Sequence, residues 1–272
     1  MRVAVCQMNA GGGDVRKNVA TAAGLLDEAG AGGADLASLP ELWPAYGSPA
    51  AMRGSAAPIP GALTDAVAEV ARTRSMWIVG GSVPEAADDY VFNTSCLFDR
   101  DGEIVARYRK IHLFDVDLPG QPPHRESAVF SAGDELVTRD TDLGRIGLSI
   151  CYDVRFPELY RGLMTLGAEI VCVPSAFTEV TGRAHWEVLL RARAIEDQSF
   201  VVAAAQWGPW GRREDGRRTY GNSIVVDPWG EVLVRAPDEG DGVWFADLDM
   251  AALQRVRKTL PALQHRRLGP VC

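Results

Sequence analysis

Two rhythms of apolar and polar residues run along the chain. Short apolar or alternating runs of strand length cover residues 2–8, 35–39, 76–80, 91–98, 103–109, 145–150, 169–173, 200–205, 223–227, 231–235 and 242–246. Between several of them the period lengthens to that of a helix. Asp14 is placed to cap one: Val15, Val19, Ala22, Leu26 and Ala29 then share a face, and Gly30 can end it. Residues 62–74 carry Leu63, Val67 and Val70 at helical spacing. Residues 156–166 open with Pro157, which suits a first helical turn. Residues 186–197 place Glu187 four before Arg191, and 249–258 form the last helical stretch. Strands alternating with helices predict an α/β fold, with hairpins adding antiparallel pairs at the sheet edges.

One internal echo sharpens this. Residues 99–104 (DRDGEI) and 227–232 (DPWGEV) match at Asp, Gly, Glu and a β-branched residue, and each is followed at equal spacing by an arginine, Arg107 and Arg235. Both read as tight hairpins with Gly at positive φ. Two similar hairpins suggest two similar halves, as two packed sheets with helices outside. No Pro- or Ser-rich linker separates them, so residues 1–272 are expected to form a single domain.

Composition narrows the function. The 272 residues are 47% hydrophobic and 24% charged, enough for a sizeable core. A formal net charge of −8 disfavours nucleic acid or an anionic membrane as the main partner. No apolar run is long enough to span a bilayer, and the first residues read as a strand rather than a signal peptide. Five widely spaced cysteines without a C-x-x-C pair argue against a zinc ribbon and fit a reduced, cytoplasmic setting.

Three segments have one form: an apolar strand, a reactive residue, then a turn. They deliver Glu41, Lys110 and Cys151. Lys110 is one of only three lysines in a chain rich in arginine, and its compact ammonium differs from a guanidinium in shape and hydration. In α/β folds, ligands gather outside the carboxyl ends of strands, so the three side chains can meet in one crevice. A carboxylate can take a thiol proton, a thiolate can attack a carbonyl or nitrile carbon, and an ammonium can hold the resulting oxyanion. Backbone N–H groups after Cys151 can add to that oxyanion hole. Taken singly, each residue has a plainer reading: an edge-strand lysine, a buried structural thiol, a solvated carboxylate. A Cys–His dyad would need His112, His124, His185 or His265; His112, two residues past Lys110, and His185, at a helix start, read more simply as structural hydrogen-bonders. Gly11, Gly12 and Gly13 fail the G-x-G-x-x-G spacing and read as a loop. Trp207 and Trp210 read as a core edge, and Arg155 and Arg183 hint at an anionic substrate end.

The chain resembles the nitrilase superfamily of carbon–nitrogen hydrolases. The likeness rests on LPELW around Glu41, YRKIHLFD around Lys110, GLSICYDVRFPELYR around Cys151, HWEVLLRARAIEDQSFVVAAAQ, YGNSIVVDPWGEVL and the C-terminal LPALQHRR. Within it the motifs look closest to amidases acting on deaminated glutathione, with ω-amidases next. The resemblance implies a four-layer αββα sandwich that pairs into a dimer, with residues 259–272 in the dimer contacts. It implies that Glu41 is the general base, Lys110 the oxyanion stabiliser and Cys151 the nucleophile. Glu126 would orient the lysine, and the Tyr152 backbone N–H would complete the oxyanion hole. Arg155 and Thr181 match positions that hold a substrate carboxylate. Tyr46 matches a pocket tyrosine, in a PELWPAYG segment one residue shorter than the ω-amidase pattern. The expected activity is hydrolysis of a small carboxylate-bearing amide through a thioester, without metal or cofactor. A nitrile or N-carbamoyl amine hydrolase, a metabolite-binding protein and a redox-thiol protein are the alternatives.

Overall fold

A computed structural model of the protein describes residues 1–118, 122–210 and 216–268. Its strands are β1 (Arg2–Gln7), β2 (Leu36–Ser38), β3 (Trp77–Val79), β4 (Val83–Ala87), β5 (Tyr90–Phe98), β6 (Ile104–Arg109), β7 (Asp115–Val116), β8 (His124–Arg125), β9 (Thr138–Thr141), β10 (Gly144–Leu148), β11 (Ile170–Cys172), β12 (Phe200–Ala203), β13 (Trp207–Pro209), β14 (Arg218–Tyr220), β15 (Ile224–Val226), β16 (Val232–Arg235) and β17 (Gly242–Asp247). Its α-helices are α1 (Val15–Ala31), α2 (Pro49–Gly54), α3 (Ala62–Arg74), α4 (Pro157–Thr165), α5 (Glu179–Asp197) and α6 (Met250–Thr259).

One strand plan is used twice. In the first sheet, β1, β2 and β3 run parallel, β17 flanks β1 antiparallel, and the β5–β6 hairpin joins β3 antiparallel. In the second, β10, β11 and β12 run parallel, β9 flanks β10 antiparallel, and the β15–β16 hairpin joins β12 antiparallel. The sequence echo marks the same hairpin in each sheet. Gly102 has φ 79° and Gly230 φ 88°, a left-handed conformation that glycine adopts without strain. Asp99 accepts from the N–H groups of Asp101 and Glu103, and Asp227 from those of Trp229 and Glu231, all between 2.8 and 3.0 Å.

The two sheets pack face to face. Val3, Val5, Leu36, Val79 and Leu97 of the first meet Ile146, Leu148, Ile170, Cys172 and Val202 of the second. The opposite face of the first sheet, with Ala4, Cys6, Ala37 and Ile78, is covered by Leu26, Leu63 and Val67 of α1 and α3. The opposite face of the second is covered by α4 and α5 through Leu163, Trp186 and Leu190. Helix, sheet, sheet and helix make four layers. Strands covered on both sides must be apolar throughout, which explains the unbroken apolar runs.

Departures from the sequence reading have local causes. Strand β4 hides behind Pro84 and Glu85, and it is an edge strand, where proline is tolerated. Strand β9 is a polar edge. Helix α1 runs past Gly30 to Ala31, with Gly32 at its C-cap. Helix α5 begins at Glu179, not 186: Thr178 caps it, and Gly182 interrupts the helical pattern because Tyr220 packs against its backbone. Among the described residues, no helix is long and apolar enough to cross a membrane.

Candidate active site

Glu41 follows β2 on a tight loop that inserts beneath the second sheet. Gly81 makes the room: it has φ 60°, and a Cβ there would lie 2.1 Å from the Pro40 carbonyl oxygen. The loop is pinned by Leu42 N–H to Ser82 Oγ at 2.9 Å and by Gln206 Nε2 to the Glu41 carbonyl at 2.6 Å. Only 3% of Glu41 is exposed. Its Oε2 accepts the Ala176 N–H at 2.9 Å, and its Oε1 accepts Lys110 Nζ at 2.7 Å.

Lys110 ends β6, where its backbone N–H bonds Asn93 O at 2.9 Å and its own carbonyl accepts the Gly133 N–H at 2.8 Å. It is 1% exposed. Beyond Glu41, its ammonium reaches Glu126 Oε1 at 3.0 Å and Oε2 at 2.8 Å. Glu126 sits in a 3-10 turn after β8, fixed by the Phe114 N–H to Oε2 at 2.7 Å. Its side chain is 9% exposed, turned to the lysine and not to solvent.

Cys151 lies just beyond β10 and opens a 3-10 turn, Cys151–Arg155. Its φ is 47°, a left-handed value that costs a β-carbon-bearing residue about 1–3 kcal/mol and marks a held conformation. Cys151 N–H bonds Pro174 O at 2.9 Å. Asp153, wholly buried, clamps the turn: it accepts from Ile150 N–H at 2.8 Å, His112 N–H at 3.1 Å and Tyr108 Oη at 2.6 Å. Beyond burial, Glu41 pushes the thiol up, and the Ala176 N–H, which Glu41 Oε2 accepts at 2.9 Å, pulls it down, so both groups lie beside the sulfur. Tyr152 N–H falls in the opening turn, where N–H groups lack intrahelical acceptors.

The charges are mutually dependent. Burial pushes the Glu41 carboxyl up, with Lys110 pulling it back and Glu126 adding to the rise. Burial alone would lower Lys110, but the carboxylates of Glu126 and Glu41 hold it well above the ordinary ammonium range. Burial and then the Glu41 charge push the Cys151 thiol well above its usual range. Lys110 is therefore an ammonium and Cys151 a thiol at rest. A raised carboxylate beside a raised thiol is the stronger proton acceptor for it.

These groups floor a cavity of about 170 Å³. Tyr46, Met52, Phe114, Phe177 and Trp210 make its apolar walls, and Arg155 and Thr181 also line it. Tyr46 packs edge-on to Trp210 at 4.9 Å and donates to Ala176 O at 3.4 Å. The Tyr152 ring rests against Phe114 at 5.0 Å. Thr181 Oγ1 lies 2.8 Å from Thr178 Oγ1. Arg155 pairs with neither Asp153 nor Glu158 among the described residues; its Nη1 donates to His185 Nδ1 at 3.2 Å, and its guanidinium lies 5.1 Å from the Phe177 ring centre.

The other sequence candidates fall elsewhere. His112 is bound to Asp153 at 2.8 Å and stacked on Phe156 at 3.7 Å, a structural role. His185 lies within α5, not at its start. Arg183 pairs with Glu179 at 2.6 Å and does not line this cavity. Trp210, read as a core edge, is a cavity wall. Residues 211–215 of the loop 208–218 lie outside the described residues. His124, weighed from sequence only as a dyad candidate, lines the cavity: its ring sits 5.1 Å from Trp210 and its imidazole is lowered to about 4, chiefly by burial. Sequence reading passed over Asn93; the polar trio of Asn93, Thr94 and Ser95 inside an apolar strand marks the place but not the partners.

The carbon–nitrogen hydrolase family model matches residues 2–258. Deaminated glutathione amidase of Bos taurus is 46% identical over 272 residues, covering 97% of this chain and 81% of that protein. The chloroplastic omega-amidase of Arabidopsis thaliana is 38% identical over 274 residues, covering 97% of this chain and 72% of that protein. Among solved structures, the C. elegans NitFhit protein superposes with a TM-score of 0.87 at 38% identity. That match covers 98% of this chain and 65% of the NitFhit chain, so the chain spans less than two thirds of that relative.

Proposed function

The chain belongs to the carbon–nitrogen hydrolase family, and from that membership we propose an amidase that opens a small carboxylate-bearing amide through a thioester on Cys151. The observation that carries this reading is the buried bridge at Glu41: Oε1 lies on Lys110 Nζ at 2.7 Å and Oε2 on the Ala176 N–H at 2.9 Å, with the Cys151 thiol near enough for the Glu41 charge to raise it.

The steps follow from that bridge. Glu41 takes the thiol proton as sulfur bonds to the amide carbon. Lys110 and the Tyr152 N–H stabilise the oxyanion, an effect of about 3 kcal/mol per donor. The carbon–nitrogen bond breaks, and Glu41 returns the proton to the leaving nitrogen, which departs as ammonia. Glu41 then takes a proton from water, whose oxygen attacks the thioester; the acid leaves and the thiol is restored. Glu126 anchors the ammonium through both carboxylate oxygens.

Arg155 supports a carboxylate-bearing substrate. It borders the cavity without a carboxylate partner among the described residues, and burial disfavours its charge, so an anion arriving there is bound with gain. Tyr46 and Thr181 would shape the same arm. The proteins of higher identity make deaminated glutathione the first substrate to try and ω-amides the second. A redox-sensing role is disfavoured, because such thiols are accessible and ionise easily, whereas burial pushes this one up. An ammonia-release screen over deaminated glutathione, α-keto-acid ω-amides, simple aliphatic amides, N-carbamoyl amino acids and nitriles tests the reading. The carboxylate-bearing amides are expected to turn over fastest, and Cys151→Ala to lose about 10⁴-fold or more. Preference for nitriles or N-carbamoyl compounds, or normal turnover by Cys151→Ala, overturns it.

The same reading includes one domain over residues 1–272, a homodimer and a cytoplasmic setting. Supporting the first, the central core draws on residues from Val3 to Leu253. For the dimer, Val180, Val188 and Ile195 form an exposed apolar stripe on α5, with Trp229 59% exposed nearby. The tail assigned to dimer contacts, 259–272, is described only to residue 268, where Leu268 is exposed. Cys6, Cys96, Cys151 and Cys172 are free thiols, which suits a reducing compartment.

A further inference from the structure

Asn93 lies one step outside the reacting groups and touches both carboxylates that hold Lys110. It sits in β5 with no exposure. Its Nδ2 donates to Glu41 Oε1 at 2.9 Å and to Glu126 Oε1 at 3.0 Å. Lys110 Nζ donates to the same two oxygens at 2.7 and 3.0 Å. Two donors and two acceptors therefore close a four-cornered ring. The β5–β6 hairpin delivers both donors together, because Lys110 N–H bonds Asn93 O at 2.9 Å. The amide cannot be turned over. Its oxygen would then face two carboxylates, which only accept hydrogen bonds. That oxygen instead points to a buried place with no partner among the described residues, a cost tolerated for the sake of the nitrogen's position.

We propose that Asn93 is a positioning residue that fixes the orientation of the Glu41 carboxylate that acts as the base. Lys110 holds Oε1 and the Ala176 N–H holds Oε2. With Nδ2 added, Oε1 is held from two directions, which restrains the tilt of the carboxylate. The second donor also spreads the load of one ammonium shared by two carboxylates. It favours the charged form of Glu41 without adding a proton that Glu41 can take. This inference rests on the amidase reading above.

The test compares Asn93→Ala and Asn93→Asp with Glu41→Gln and Cys151→Ala in one ammonia-release assay, over a range of pH. For Asn93→Ala, kcat is expected to fall about 10- to 100-fold, with KM within about twofold. The acid limb of kcat/KM should move to higher pH, since losing the donor raises the carboxyl further. Asn93→Asp should move it the same way and lose more, because a third carboxylate enters the ring. Thermal unfolding checks that each variant is folded. A folded Asn93→Ala protein with wild-type kcat, or with a reduced kcat but an unmoved acid limb, overturns the proposal. If Glu41→Gln and Cys151→Ala retain turnover, the amidase reading has failed as well; if they lose it while Asn93→Ala does not, only the role of Asn93 has failed.

Discussion

Cys151 holds φ at 47° with its thiol against a carboxylate that is itself tied to an ammonium. In the proposed mechanism Glu41 is the base, and it works only when ionised. Burial raises the Glu41 carboxyl above the ordinary carboxylate range, so its active form is lost as pH falls through that raised value. The acid limb of kcat/KM should therefore lie above the range of an exposed glutamate, and it should vanish with the activity in Glu41→Gln; stopped-assay rates over a pH series check this. A limb at the usual carboxylate position would mean that Glu41 is solvated during turnover. Arg155 makes a separate claim. Replacing it with Met should raise KM for a carboxylate-bearing amide about thirtyfold, the equivalent of about 2 kcal/mol for a charged hydrogen bond. The kcat should change much less, and an uncharged amide should show no such KM rise. Of these residues, Lys110 was legible from its rarity and all three of the trio from their place after apolar strands. Asn93 was not, because an asparagine inside a strand carries no sign of which side chains will meet it.

At the scale of elements, the trio is delivered by three different devices. A loop admitted by Gly81 brings Glu41, a hairpin brings Lys110, and a 3-10 turn brings Cys151. The turn depends on Asp153, whose carboxylate binds Ile150, His112 and Tyr108 at once. Asp153→Ala should lower stability by about 3 kcal/mol, as several buried partners lose one acceptor. Activity should fall with it, measurable as a drop in Tm and in kcat on the same preparation; an unchanged kcat would detach the clamp from the nucleophile. Hairpin chemistry was readable in advance because Asp, Gly and Glu act within a few residues. Strand β4 and the start of α5 were not, because Pro84 and Gly182 are explained only by an edge position and by Tyr220 across the fold.

For the whole molecule, the doubled strand plan sets two sheets face to face and leaves helices outside. The α/β class followed from the two periodicities; the face-to-face packing was suggested only by one repeated hairpin, since periodicity does not tell which two faces meet. The apolar stripe on α5 leads to an expected dimer. Val188→Asp with Ile195→Asp should shift sizing chromatography toward the monomer, whereas an unchanged dimer would place the contact elsewhere. The central claim is chemical: acid, ammonium and thiol converge on one carbon and leave an acyl group on sulfur. Rapid mixing with a carboxylate-bearing amide, acid quenching and intact-protein mass spectrometry tests it most directly. The predicted result is a mass gain equal to the substrate less ammonia, mapped to Cys151 and absent from Cys151→Ala. Steady ammonia release with no adduct on Cys151, or an adduct at another residue, would contradict it.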